Sequence, residues 1–285
     1  MQSWRPLASV LGHLATGAAT LAVGTLLWGR ALPPAAPPSA PRPDAGLPAV
    51  GAGNLWGQHA PRTESPLAGL RSGWARENVR TDFNREIDVP RIHEMAWVDP
   101  LASVIGNVEL GRDVFVAPFA SLRGDAGQPI HVGAESNLQD GVVLHALETE
   151  RGGQPVDANR YIVGGRAYGI YIGDRVSLAH QAQVHGPAWI ESDVFVGMQA
   201  LVFKAKVSSG VVIEPAARVI GVTIPPNRYV PAGEIVTDQQ TADGLPPITY
   251  AYAFKGLNAD VVHVHTSLAA GYAGRDAPAS PARGH

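Results

Sequence analysis

The chain has 285 residues, with 22 Lys+Arg against 25 Asp+Glu, a formal charge of −3 and only 16% charged positions. That near-balance, without a basic stripe, argues against a nucleic-acid partner. There are no cysteines, so disulfides, zinc ribbons, iron–sulfur clusters and thiol nucleophiles are excluded, and any metal must be held by carboxylates and the ten histidines. With 32 Gly and 24 Pro the chain is too interrupted for a helical bundle, and 7% aromatics points to a core of small aliphatics.

In chain order, Arg5 is followed by a run from Pro6 to Gly29 that carries no Asp, Glu, Lys or Arg and is mostly apolar. It reads as a signal peptide or signal anchor over 1–30. Residues 31–53 read as a Pro-rich linker, with seven prolines between Ala31 and Val50, a semi-extended spacer. Residues 54–97 are taken as an N-terminal extension. This start predicts an exported protein, periplasmic or otherwise extracytoplasmic, with cleavage and an N-terminal membrane tether both open.

From Val104 a six-residue period sets in. Aliphatic residues fall at Val104, Leu110, Val116 and Leu122, resume at Val132, Leu138 and Leu144, and run again through Ile172, Leu178, Val184, Ile190, Val196 and Val202. A one-residue slip then leads to Val207, Ile213 and Val219. Four residues after most of them stands a second small or branched residue, such as Val114, Ala120, Val142, Ala182 or Ala200. Neither a helical nor a simple alternating period fits this pattern, whereas a hexapeptide period is the mark of a parallel β-helix. The prediction is a mainly β protein, with a β-helix over 98–236, a C-terminal helical segment over 237–275 in which Asn258-Ala259-Asp260 caps a helix, and a disordered tail over 276–285.

Three hexapeptides make one triangular coil. With Val104 on face C, Leu110 on A and Val116 on B, and with the long segment 146–169 leaving after face C and returning to face A, the outward positions of face C become Ile105, Arg123, His145, His185 and Phe203. His145 and His185 then stack on neighbouring coils, roughly 5 Å apart, where two imidazoles can share a metal. His180 lies on face B beside Asp140, near Asn137 and Gln139, and cannot easily turn to the same point. It is placed to serve a neighbouring subunit, so that three His meet only on assembly of a cyclic trimer.

These residues also carry a resemblance. Arg123-Gly-Asp125, the stretch from Asn137 through Gln139, Asp140 and His145 to Glu148, the stretch Ser177 to Gly186, Gly197-Met-Gln-Ala200 and Gly221 to Pro225 are similar to the γ-class carbonic anhydrases. The resemblance implies a left-handed β-helix homotrimer with metal sites at subunit interfaces, His145 and His185 from one subunit and His180 from its neighbour. It implies Zn2+, with Fe2+ or Co2+ as alternatives, and reversible hydration of CO2 to bicarbonate by a metal-bound hydroxide. Gln139 would orient that hydroxide with Asn137 in support, Arg123 and Asp140 would tie the interface, Asp125 would support that network, and Glu148 would shuttle the proton. Two departures matter. Ala126 stands where the prototype has a second glutamate, and His265 stands in place of an asparagine, which makes it a weak candidate for another shuttle. A hexapeptide-repeat acyltransferase and a non-enzymatic γ-class-like scaffold are the alternatives.

Overall fold

The computed structural model describes residues 74–278; the segment 1–30, the linker 31–53, residues 54–73 of the predicted extension and residues 279–285 of the predicted tail lie outside them. Three parallel sheets form the three faces of a solenoid. Face C stacks eight short strands, among them Ser121–Gly124, Val143–Ala146, Gln183–Gly186 and Leu201–Phe203. Faces A and B stack seven each. The hexapeptide period is the cause: each period supplies one strand and one corner, and its aliphatic points inward.

Val104, Leu122, Leu144, Val184, Val202, Val219 and Val236 are successive partners on face C. Each is at most 1% exposed, and they join the inward residues of the other faces in one continuous core. The slip of one residue after Val202 is absorbed at a corner, and Val207 still pairs with Ile190 on face A. Strand pairing starts earlier than the period showed: Ala75–Arg76 pairs with Val104–Ile105, and Arg91–Ile92 with Glu109–Leu110. These strands fall within the stretch read as an extension.

Tight corners need left-handed backbone. Glycine takes some of these positions, but many are filled by other residues, such as Phe119, Gln181, Gln199 and Ala216 along one edge, with φ between 58° and 62°. The glycine excess is therefore only partly a matter of corners.

The segment 146–169 leaves after face C and returns to face A, as the phasing requires. It folds into two hairpins, Glu150–Arg151 with Gln154–Pro155 and Tyr161–Val163 with Arg166–Tyr168. After the last coil come a short helix α1, Gln239–Asp243, and a longer one, α2, Leu257–Tyr272. Helix α2 lies along face B, where Ala269 packs with Phe115 and Ala117, and Leu257 and Val261 pack on Ala179, Phe195 and Val212. Its N-cap is Gly256 at φ 85° with no side-chain cap, not Asn258, whose Nδ2 donates to the carbonyl of Arg175 at 2.8 Å. Among the described residues no helix is long and apolar enough to cross a membrane.

Candidate metal centre

The outward column of face C runs Ile105, Arg123, His145, His185, Phe203, each in register with the next. The inward Leu144 and Val184 lock the two histidines to adjacent coils. Their ring centroids are 5.2 Å apart at 77°, with His145 Nδ1 3.4 Å from His185 Nε2. His185 Nδ1 lies 3.1 Å from the carbonyl of Gly186. A carbonyl can only accept, so Nδ1 carries the proton and Nε2 keeps its lone pair. Burial, and then the charges of Arg123 and His185, push the His145 pKa down against the pull of Asp125, which favours the neutral ring a metal requires. Arg123 Nε pairs with Asp125 Oδ2 at 3.2 Å. The other oxygen, Asp125 Oδ1, is buried and has no hydrogen-bond partner among the described residues.

Face B supplies a second group. Asn137 and Ser177 are register partners, and both are fully buried. Asn137 Nδ2 donates to Ser177 Oγ at 2.9 Å, and Gln139 Nε2 donates to Asn137 Oδ1 at 3.0 Å. With its nitrogen engaged, Gln139 keeps its carbonyl oxygen as the free end. At the following corner His180 is exposed, and its Nδ1 donates to Asp140 Oδ2 at 2.9 Å, which leaves Nε2 with its lone pair. His180 and Gln139 line a cavity of about 390 Å³ with Phe195, Met198, Val261 and His265. His265 Nδ1 donates to the carbonyl of Val261 at 2.8 Å. Burial lowers the pKa of His265, a trend this hydrogen bond opposes.

Glu148 follows His145 by three residues, at the foot of the first hairpin. Its carboxylate is hydrogen-bonded to Arg151 Nη2. The Glu148 backbone N–H, and then the Arg151 guanidinium, hold its pKa below the ordinary glutamate value.

The fold therefore gathers His145, His185, Arg123 and Asp125 on face C, and Asn137, Gln139, Asp140, His180 and His265 along face B and α2. Among the described residues of one chain, no group of three or more His, Cys, Asp or Glu side chains is arranged to hold a metal. Sequence reasoning missed Ser177 and Arg151 as working parts. Ser177 was within reach, since it holds the same repeat position as Asn137 one coil on. Arg151 depends on the hairpin turn, which no period announces.

A parallel β-helix with a stacked histidine pair on one face and a carboxylate-anchored histidine on the next is the class that fold and site define. No protein-family model matches the chain. Over 198 residues it is 54% identical to the carbonic anhydrase of Methanosarcina thermophila, covering 69% of this chain and 80% of that protein. It is 37% identical over 194 residues to a carboxysome assembly protein of Nostoc sp., covering 67% of this chain and 33% of that one. It is 33% identical over 157 residues to the mitochondrial gamma carbonic anhydrase 2 of Arabidopsis thaliana, covering 55% and 50%. The chain belongs to the γ-class carbonic anhydrase family, and its solenoid is that family's left-handed β-helix of hexapeptide repeats.

Proposed function

We propose that this carbonate dehydratase hydrates CO2 reversibly at a divalent metal held by His145 and His185 of one subunit and His180 of the next, in a homotrimer. The observation that carries the reading is the register of His145 on His185, with a ring nitrogen of His185 and of His180 already committed to a protein acceptor. That arrangement fits a metal: one nitrogen is fixed by a carbonyl or carboxylate, and the other is left as a ligand. The donor set suits Zn2+, and also Fe2+ or Co2+.

When bound, the metal supplies the Lewis acidity that brings water to deprotonation near neutral pH. The remaining work belongs to the chain. The free carbonyl oxygen of Gln139, aimed by Asn137 and Ser177, accepts a hydrogen bond from that water and orients its lone pair toward the CO2 carbon. Glu148 takes up the proton that leaves, once Arg151 releases it, and passes it to buffer. Because Ala126 offers no second carboxylate, His265, half-buried in the cavity with Gln139 and His180, is a second acceptor. Arg123 and Asp125 brace the facing subunit.

Metal analysis of the purified protein, together with CO2 hydration followed by a pH indicator, tests the proposal and separates it from the acyltransferase and scaffold alternatives. One metal per chain and hydration activity are expected, with both strongly reduced in His145→Ala. A metal-free trimer without activity would overturn it. We also propose export, on the uncharged apolar run 6–29; sequencing the mature N-terminus from the native source decides between a cleaved signal and a tether.

A further inference from the structure

The turn around residues 81–84 lies far from the histidine pair in sequence, yet it ends in a fully buried polar side chain, Asn84. A buried amide is tolerated only when it is hydrogen-bonded, and the network it joins then becomes rigid. Gln128 Nε2 donates to Asn84 Oδ1 at 2.7 Å. The backbone of Gln128 grips one hydroxyl from both sides: its N–H donates to Thr149 Oγ1 at 3.1 Å, and that hydroxyl donates to the Gln128 carbonyl at 2.8 Å. Thr149 is buried and directly follows Glu148. A longer contact of 3.5 Å runs from Asn84 Nδ2 to the carbonyl of Asp125, the carboxylate that holds Arg123. The same turn touches the hairpin beyond Glu148: the Gly152 N–H donates to the Asp82 carbonyl at 2.8 Å, and Arg85 Nε lies 3.6 Å from Glu150 Oε1.

We infer that Asn84 is a positioning residue for proton transfer, holding the Gln128–Thr149 clasp and through it the segment that carries Glu148. The N-terminal turn is thus part of the working site, although it touches none of the reacting atoms. The inference rests on the reading of Glu148 as proton acceptor. It separates two functions that a general loss of structure would not: the attack on CO2, which needs the His and Gln139 groups, and the exit of the proton, which needs Glu148 held in place.

The test uses the full chain with Asn84→Ala and, because loss of a buried amide can impair folding, Thr149→Val, which removes only the clasping hydroxyl at nearly constant shape. Hydrogen exchange is expected to quicken at the amides of Gln128 and of 148–152 in both variants, since the local opening they report becomes easier. At low buffer concentration kcat is expected to fall about tenfold. kcat/KM for CO2 and metal content should stay within about twofold of the unaltered protein, and added imidazole buffer should restore kcat. Unchanged exchange, or kcat and kcat/KM falling together with metal content, would overturn the inference. Glu148→Ala keeps the two readings apart. If it leaves low-buffer turnover intact, the shuttle reading falls and takes the kinetic half of the inference with it. If it slows turnover while Asn84→Ala and Thr149→Val do not, the positioning role alone falls.

Discussion

His180 stands on a corner of the coil with 53% of its side chain exposed, yet its ring is oriented, because Asp140 from the preceding coil accepts its Nδ1 proton. Within one chain Asp140 is thus engaged with this histidine. A carboxylate in that position fixes the tautomer and raises the basicity of the other nitrogen, and partners of this kind typically contribute tenfold to a hundredfold in metal affinity. Asp140→Asn keeps the shape and a carbonyl acceptor but removes the charge. Its metal dissociation constant, read by competition with a chelator, is expected to rise by about tenfold or more while the fold and thermal stability are kept. Affinity within twofold of the unaltered protein would show that the carboxylate serves the surface and not the ligand. The buried relay Ser177–Asn137–Gln139 works by the same logic. Both ends of the Asn137 amide are committed, to Ser177 and to the Gln139 nitrogen, so the end of Gln139 left over is its carbonyl oxygen.

At the scale of strands and hairpins, the site depends on close approach between coils. A Cβ added at Gly186 would lie 2.3 Å from the carbonyl oxygen of Gly169 and 2.6 Å from the Cβ of Ala146. Backbone cannot yield cheaply, so Gly186→Ala is expected to destabilise the chain by about 2–3 kcal/mol, and to disturb the carbonyl that fixes His185; urea unfolding measures the first and metal affinity the second. Glu109 ties elements on face A. Burial pushes its carboxyl up, but hydrogen bonds from Arg166, Arg91 and His131 outweigh that and bring its pKa down to about 2, from an ordinary 4.5. The folded value lies below the unfolded one, so this stabilisation is complete above about pH 4.5 and is lost as pH falls toward 2. With the carboxylate largely shielded, roughly 2 kcal/mol should disappear between pH 6 and pH 2.5. Glu109→Gln, compared by urea unfolding at the two pH values, should lose less stability on acidification than the unaltered chain; an equal loss in both would refute the assignment. The sheets were legible in the sequence because inward aliphatics are set by packing, and packing follows the six-residue period through both breaks and the slip. Ile92 and Val98 continue the period upstream of Val104 and were within reach; the strand at Ala75 was not legible, since 76–91 interrupts the period between Ala75 and Ile92. Nor was the true cap of α2, because Asn258 spends its amide on Arg175, a contact 83 residues away that local spacing does not encode.

For the whole molecule, the decisive question is whether one chain is enough. Its two histidine groups lie on different faces, and among the described residues of a single copy no three candidate ligands are arranged to hold a metal. In the proposed homotrimer, closed cyclic assembly would bring face B of one copy against face C of the next, identically around the ring. That geometry predicts complementation. His145→Ala cannot supply the stacked pair, and His180→Ala cannot supply the third ligand, so each variant alone should be almost inactive. In a mixed trimer, a site is whole wherever the intact pair of a His180→Ala subunit faces the intact His180 of a His145→Ala subunit. In any cyclic trimer that contains both variants, one and only one of the three sites has both halves intact, so about a third of the sites in mixed trimers should regain metal and activity. Coexpression of the two variants with separate tags, followed by isolation of doubly tagged trimers, provides the measurement. Recovery near that fraction requires ligands from two chains. If all three ligands came from one chain, each variant subunit would carry its own defect into every site, and mixing would restore nothing.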